Sequence, residues 1–377
     1  MAEIKKRKAS GPMAAIGLMS GTSMDGVDAA WLETDGEVIT AFGPSAMVPY
    51  DAAFRARLHR FVATVPEKNH PQAAAIEAQL TDLHAQAVQS LITKVGRGPD
   101  VVGFHGHTVW HRPHRRQTWQ IGDGARLAKA LRLPVVFDFR SNDVSYGGQG
   151  APLLPLFHAT IAAERAKPLV IANIGGVANI TWLGEKHTQP GAEQFPFAIL
   201  GFDTGPGNAM IDDWMLKHTG KPIDTDGQAA RSGRVDKARL DKLMAAPFFS
   251  QSPPKSLDRL AFDATIVNGL SVSDGAATLV EFTAANIAHA LKFCPSPPRE
   301  ILVTGGGRHN PLIMARLAAL SGITTSPVEA MGCDGDVIEA QAFAYFAVRH
   351  KRGLPLTYPE ITGAPTPLKG GRLVNPL

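Results

Sequence analysis

The chain has 377 residues, 44% of them hydrophobic and 19% charged, with a formal net charge of +4 at pH 7. That length suits two domains with real cores, and the balance is that of a soluble globular protein, which excludes a disordered chain. Basic residues are scattered, against a nucleic-acid partner. No apolar run reaches membrane-spanning length, and the 2 cysteines, Cys294 and Cys333, fit a reducing compartment, so the reading is cytoplasmic.

The basic run Lys5-Lys-Arg-Lys8 reads as a solvated terminus. Ala15 to Met19 and Val27 to Leu32 read as two strands of one sheet, joined by Ser20-Gly-Thr-Ser-Met-Asp-Gly26. The glycines of this turn allow close backbone approach. Its N–H groups and the hydroxyls of Ser20, Thr22 and Ser23 suit phosphate oxygens. Asp25 would repel a bare phosphate, which implies a cation between the two; the competing reading is an ordinary hairpin turn. The Gly-Lys-Ser/Thr of a P-loop is missing, and so is a dinucleotide-type Gly-x-Gly-x-x-Gly in this strand–turn–strand setting.

Residues 51–95 carry helical spacing, followed by a strand at Asp100 to Phe104 and a polar loop His105 to Thr108. Val135 to Phe137 is a further strand, ending at Asp138-Phe-Arg140. Gly147-Gly-Gln-Gly-Ala-Pro152 breaks the pattern and marks a domain junction before a helical stretch from Leu153 to Ala163. The second half restarts the opening pattern, with Leu169 to Ile174 and Val177 to Leu183 paired around Gly175-Gly176. A strand end runs through Gly201-Phe-Asp-Thr-Gly-Pro-Gly-Asn208 into a helix, Ala209 to His218. Asp263 to Phe293 reads as mostly one helical region. A strand at Ile301 to Thr304 leads into Gly305-Gly-Gly307 and a helix from Pro311 to Leu320. Asp336 to Lys351 reads as a final amphipathic helix. These divisions predict an N-terminal lobe over 12–147, joined by the tail 353–377, and a C-terminal lobe over 148–352.

Three glycine-centred turns thus each follow a strand: Gly21 to Gly26, Asp203 to Asn208 and Gly305 to Asn310. Two α/β halves facing across a cleft would bring such turns to opposite sides of a triphosphate. With these segments, Asn173-Ile-Gly-Gly-Val-Ala-Asn-Ile180 and Gly147-Gly-Gln-Gly-Ala-Pro-Leu153, the chain resembles the anhydro-N-acetylmuramic acid kinases. These belong to the actin, hexokinase and heat-shock ATPase superfamily, and the likeness runs from Ile16 to Ala364. The resemblance implies a two-lobed α/β fold with a central nucleotide cleft, ATP as phosphate donor and Mg²⁺. It further implies conversion of 1,6-anhydro-N-acetylmuramate to N-acetylmuramate 6-phosphate in cell-wall recycling, and it leaves room for a homodimer.

Carried onto this chain, the nucleotide residues are Gly21, Thr22, Ser23, Met24, Asp25, Gly26, Val27, Asp28, Gly205, Gly207, Asn208, Gly305, Gly306, Gly307 and Asn310, with Asp25 touching the metal through water. Asp203 is the expected general base, the alternative being a helix cap. Glu339 is expected at sugar hydroxyls, the alternative being a first-turn acid favoured by the helix dipole. Thr108, Gln120 and Asp143 are further sugar candidates or else loop-stabilising hydrogen bonders. His105, His107, His111 and His114 invite a zinc reading, but their arginine-rich surroundings favour an ordinary loop. Two departures fall near the expected sugar side. The family's usual His-Gly-Gln-Thr is His105-Gly-His107-Thr108 here, and an Asp-Phe-Arg-Arg-Arg-Asp-like run is Asp138-Phe-Arg-Ser-Asn-Asp143. An ATP-gated binding protein and a kinase of an ordinary sugar are the competing functions.

Overall fold

In a computed structural model describing residues 11–21, 23–186, 197–258, 261–262 and 264–376, strands β1 (Met13–Ser20), β2 (Gly26–Thr34) and β3 (Ile39–Pro49) form an antiparallel meander. β4 (Val101–Arg112) runs parallel to β1, with Val101 opposite Ala15. β5 (Gln117–Ile121) folds back along β4, and β6 (Val135–Phe137) extends the sheet in parallel. A second sheet holds β7 (Leu169–Ile174), β8 (Val177–Lys186) and β9 (Phe197–Pro206) as a meander. β10 (Glu300–Thr304) and β11 (Thr324–Pro327) lie parallel on the far side of β7. β12 (Arg372–Val374) returns to pair with β6. The strand order is therefore β3-β2-β1-β4-β6 in one sheet and β9-β8-β7-β10-β11 in the other, so one supersecondary unit is used twice.

The central strands β1 and β7 are almost wholly apolar because both of their faces are covered. The helix Ala73–Val95 fills one side of the first sheet with Ile76, Leu80, Val88 and Leu91. Its other side carries the helix Ile338–Arg352, whose backbone lies directly on the strands. A Cβ at Gly17 would stand 1.8 Å from Ala340 O, and one at Gly103 2.0 Å from Phe343 O. Only glycine permits that approach. The helix Val272–Ala290, capped by Ser271, packs on the second sheet with Leu279, Val280 and Phe282.

Several elements differ from the sequence reading. Residues 51–95 divide into helices Ala52–Ala63 and Ala73–Val95. His105 to Thr108 continues β4, because β5 supplies ladder partners that local polarity does not reveal. The stretch before Phe293 is a short turn of helix, Ala264–Val267, and then the separate helix Val272–Ala290; Asp263 lies outside the described residues. The last helix is buried on nearly every side, not amphipathic, since it is clamped between elements of both sheets. Its backbone lies against the first sheet while its side chains share one core with residues of the second.

Candidate active site

The β1–β2 turn is held from beneath by a buried hydroxyl chain. Tyr50 Oη donates to Ser20 Oγ at 2.7 Å, and Ser20 Oγ also meets His107 Nδ1 at 3.0 Å. His107 therefore braces this turn. Met24 N–H donates to Gly21 O, Met24 has a left-handed φ of 52°, and both Met24 and Val27 are buried. Ser23 Oγ donates to Asp25 Oδ1 at 2.8 Å. Thr22 lies outside the described residues. Asp28, on β2, has its pKa pushed up to about 7 by burial, then by Asp25, Glu339, Asp336 and Asp334.

The repeated strand order places the β7–β8 turn, Gly175-Gly176, where the first half has Ser20 to Gly26. Sequence reasoning gave that position to Asp203 to Asn208 instead. In the structure Asp203 to Pro206 ends β9, and the N–H groups of Gly207 and Asn208 are already donated to Gly176 O and Gly175 O. Thr204 and Asn286 lock the same turn, with Thr204 Oγ1 to Asn286 Oδ1 at 3.0 Å and Asn286 Nδ2 to Pro206 O at 2.9 Å. The restart of the opening pattern after Leu169 was the signal that pointed to Gly175. A Cβ at Gly21, Gly175 or Gly306 would meet protein atoms no closer than 3.6, 3.6 and 3.4 Å, so one glycine of each turn is not required by its protein neighbours. At Gly207, Gly305 and Gly307 a Cβ would strike Gly175 O, Asn173 and Ile174 respectively.

Asp203 is buried and is not a helix cap. Its Oδ2 accepts from Leu257 N–H at 2.7 Å, and its own N–H donates to Lys255 O at 3.1 Å. Burial pushes its carboxyl up to about 7, against the pull of that hydrogen bond and of Arg140 and Lys255. Lys255 is itself buried. Its Nζ donates to Phe248 O and lies 4.6 Å from the ring centres of both Phe248 and Phe293; burial lowers its pKa to about 8. Ser256, between them, donates to Gln149 Oε1 at 3.0 Å.

Glu339, in the first turn of its helix, accepts from Asn173 Nδ2 at 3.1 Å. Burial raises its pKa, opposed by Asn173 and Arg140. Arg140 is the hub that the sequence did not reveal. It is partly buried, donates to His105 Nε2 at 3.1 Å and Gly150 O at 2.8 Å, and its charge faces Glu339, Asp203 and Asp143. Asn310 caps the helix Pro311–Ser321, its Oδ1 accepting from Leu312 and Ile313 N–H. Arg308 ties the same turn to Glu329 and Asp336.

Asp143 is buried, with Oδ1 taking Gly150 N–H at 2.6 Å and Oδ2 taking Thr362 Oγ1 at 2.7 Å. Thr108 and Gln120 face each other across β4 and β5 at 3.4 Å, and Gln120 also donates to Thr118. His105 Nδ1 bonds Gly106 O, while His111 bonds Thr118 and Gln149 O. Burial and the charge of Arg140 keep both histidines neutral. Among the described residues no three His, Cys, Asp or Glu side chains are arranged to hold a metal.

A doubled meander-plus-parallel sheet with glycine turns at matching strand ends defines an α/β fold of the actin and hexokinase class. Within that class, the chain matches the family model for anhydro-N-acetylmuramic acid kinase over residues 13–375, and it belongs to that family. It is 54% identical to an anhydro-N-acetylmuramic acid kinase of Acidiphilium cryptum, covering 97% of this chain and 99% of the relative. A relative of the same name from Rhodospirillum rubrum is 52% identical, with 97% and 95% covered. A solved xylulose kinase from Lactobacillus acidophilus overlaps 97% of this chain and 94% of its own at 10% identity and a TM-score of 0.45. That overlap is loose; the repeated strand order is what defines the class. No described helix is long and apolar enough to cross a membrane.

Proposed function

We propose that the chain is an ATP-dependent hydrolytic kinase that turns 1,6-anhydro-N-acetylmuramate, ATP and water into N-acetylmuramate 6-phosphate and ADP. The observation that carries this is Asp203, a buried carboxylate poised near neutrality and aimed by Leu257 N–H, with Arg140 and Lys255 in its field. In this reading the carboxylate takes a proton from water as the water oxygen bonds to the anomeric carbon. The C1–O6 bond breaks, and O6 keeps the electron pair. That oxygen bonds to the γ-phosphorus as the bond from phosphorus to the ADP oxygen breaks. The proton ends on Asp203 and leaves to solvent. One base thus serves both halves, because the departing alkoxide is captured directly. Gly21, Gly175 and Gly306, glycines that no protein neighbour requires, support a nucleotide lying against all three turns.

Asp25 and Asp28 fit a divalent cation, since mutual repulsion among these carboxyls is what a cation relieves. Bound there, Mg²⁺ would neutralise charge on the triphosphate. Turnover in ¹⁸O-water tests the reading. The hydrolytic kinase places solvent oxygen at C1 of the phosphorylated sugar, whereas product free of solvent oxygen would assign a kinase of an ordinary sugar.

A further inference from the structure

A cavity of about 580 Å³ opens between residues 67–69, the β4–β5 hairpin and the helix Ser141–Ser145. Lys68, Arg116, Asn69, Thr118 and Ser141 line it over a floor made by Trp110. Lys68 Nζ stands 5.7 Å from the Trp110 ring centre and the Arg112 guanidinium 4.9 Å from it, so two cations share one indole. Among the described residues, Lys68, Arg112 and Arg116 enter no ion pair, and the acid on this wall is Glu67. Like charges gathered beside a concave wall of hydroxyl and amide donors leave a positive potential unspent, and a bound anion relieves it.

The cavity is continuous with the sugar side of the site. Lys68, Thr118 and Ser141 also line a smaller space of about 120 Å³ that reaches His105 and Gln120. Asp138, on that smaller space, faces Arg372 at 3.9 Å. Ser141 directly follows Arg140, whose charge faces Asp203 and Glu339. A ligand spanning both spaces would therefore have a neutral part near the catalytic cluster and an anionic arm among the cations.

We infer that Lys68 and Arg116 form a carboxylate subsite that reads the lactyl arm of the muramyl sugar. This rests on the reaction proposed above, and it separates a muramyl from a glucosaminyl sugar, which differ by that one anionic group. Titration calorimetry of the full chain tests it with 1,6-anhydro-N-acetylmuramate and with 1,6-anhydro-N-acetylglucosamine, which lacks the lactyl arm. The Lys68→Ala/Arg116→Ala pair should bind the muramyl sugar at least about tenfold more weakly than the unmodified chain. It should bind the glucosaminyl sugar and ATP as before, with an unchanged melting temperature. Equal losses on both sugars, no loss on either, or a loss confined to ATP would each overturn the subsite. Binding that discriminates as stated, without phosphorylation of either sugar, would sustain the subsite and bring down the reaction instead.

Discussion

At the residue scale, the proposed base role of Asp203 and its buried position make its protonation act on activity and on stability with opposite signs. Its pKa, raised from 3.8 to about 7 by burial, means that the base is spent below neutrality and competent above it. The groups facing it are Arg140 and Lys255, both cationic. kcat should therefore rise with pH through an acid limb near 7 and level above it. Asp203→Asn should lower kcat by about 10²- to 10⁴-fold and abolish the limb. Lys255→Met, which removes one of the two cations, should move the limb upward. For stability, a raised folded pKa means the folded state holds the proton more tightly than the unfolded chain. This contribution is complete below 3.8 and is lost as pH rises through about 7. Asp203→Asn should accordingly melt above the unmodified chain at pH 8 while being nearly inactive. A variant with normal turnover, or a limb unmoved in both variants, would remove Asp203 from the base role.

At the scale of elements, the glycine turns do two different jobs. Gly17, Gly103, Gly207, Gly305 and Gly307 are required by neighbouring protein atoms, whereas Gly306 is not, with Asn208 Nδ2 at 3.4 Å its nearest neighbour. Gly306→Val should therefore fold normally and raise the KM for ATP by about tenfold, equal to ~1.4 kcal/mol, through exclusion and not through lost charge. Initial-rate kinetics with a melting curve beside them check this; an unchanged KM would move the adenosine away from this turn. The turns were legible in the sequence because glycine clusters after apolar runs are local signals. Which of them corresponds to Ser20 to Gly26 was not legible, since that depends on strand order. Gly175-Gly176 takes the place through the duplicated sheet, and Asp203 to Asn208 packs against it.

On the scale of the whole molecule, two copies of one sheet unit flank the helix Ile338–Arg352 and the catalytic cluster. The first turn comes from one sheet and the other two from the second, so a nucleotide engaging all three bridges the sheets and favours their approach. Closure would also exclude bulk water from the phosphates. The segments Gly147 to Gly150 and Asp336 to Ala342 are the proposed hinges, and Gln149 already links Thr362 O, His111 and Ser256 across them. We expect the radius of gyration to fall when a non-hydrolysable ATP analogue and the sugar are both bound, by rigid-body rotation. Small-angle scattering under demonstrated saturation measures it. An identical radius would mean a preformed cleft.

Sequence by itself determined the α/β class, the positions of the strands and glycine turns, and Asp203 and Glu339 as acids worth naming. Those features are written in local hydrophobic period and in turn chemistry, which act over a few residues. Tertiary structure alone decided which turns are equivalent, that His107 braces the first turn, and that the last helix is buried between the two sheets. It also decided that Arg140, Lys255 and Leu257 surround Asp203. Arg140 and Asp203 are 63 residues apart in the chain by their numbering. Nothing in either neighbourhood encodes the other, because burial and the field of a distant charge exist only once the sheets have packed.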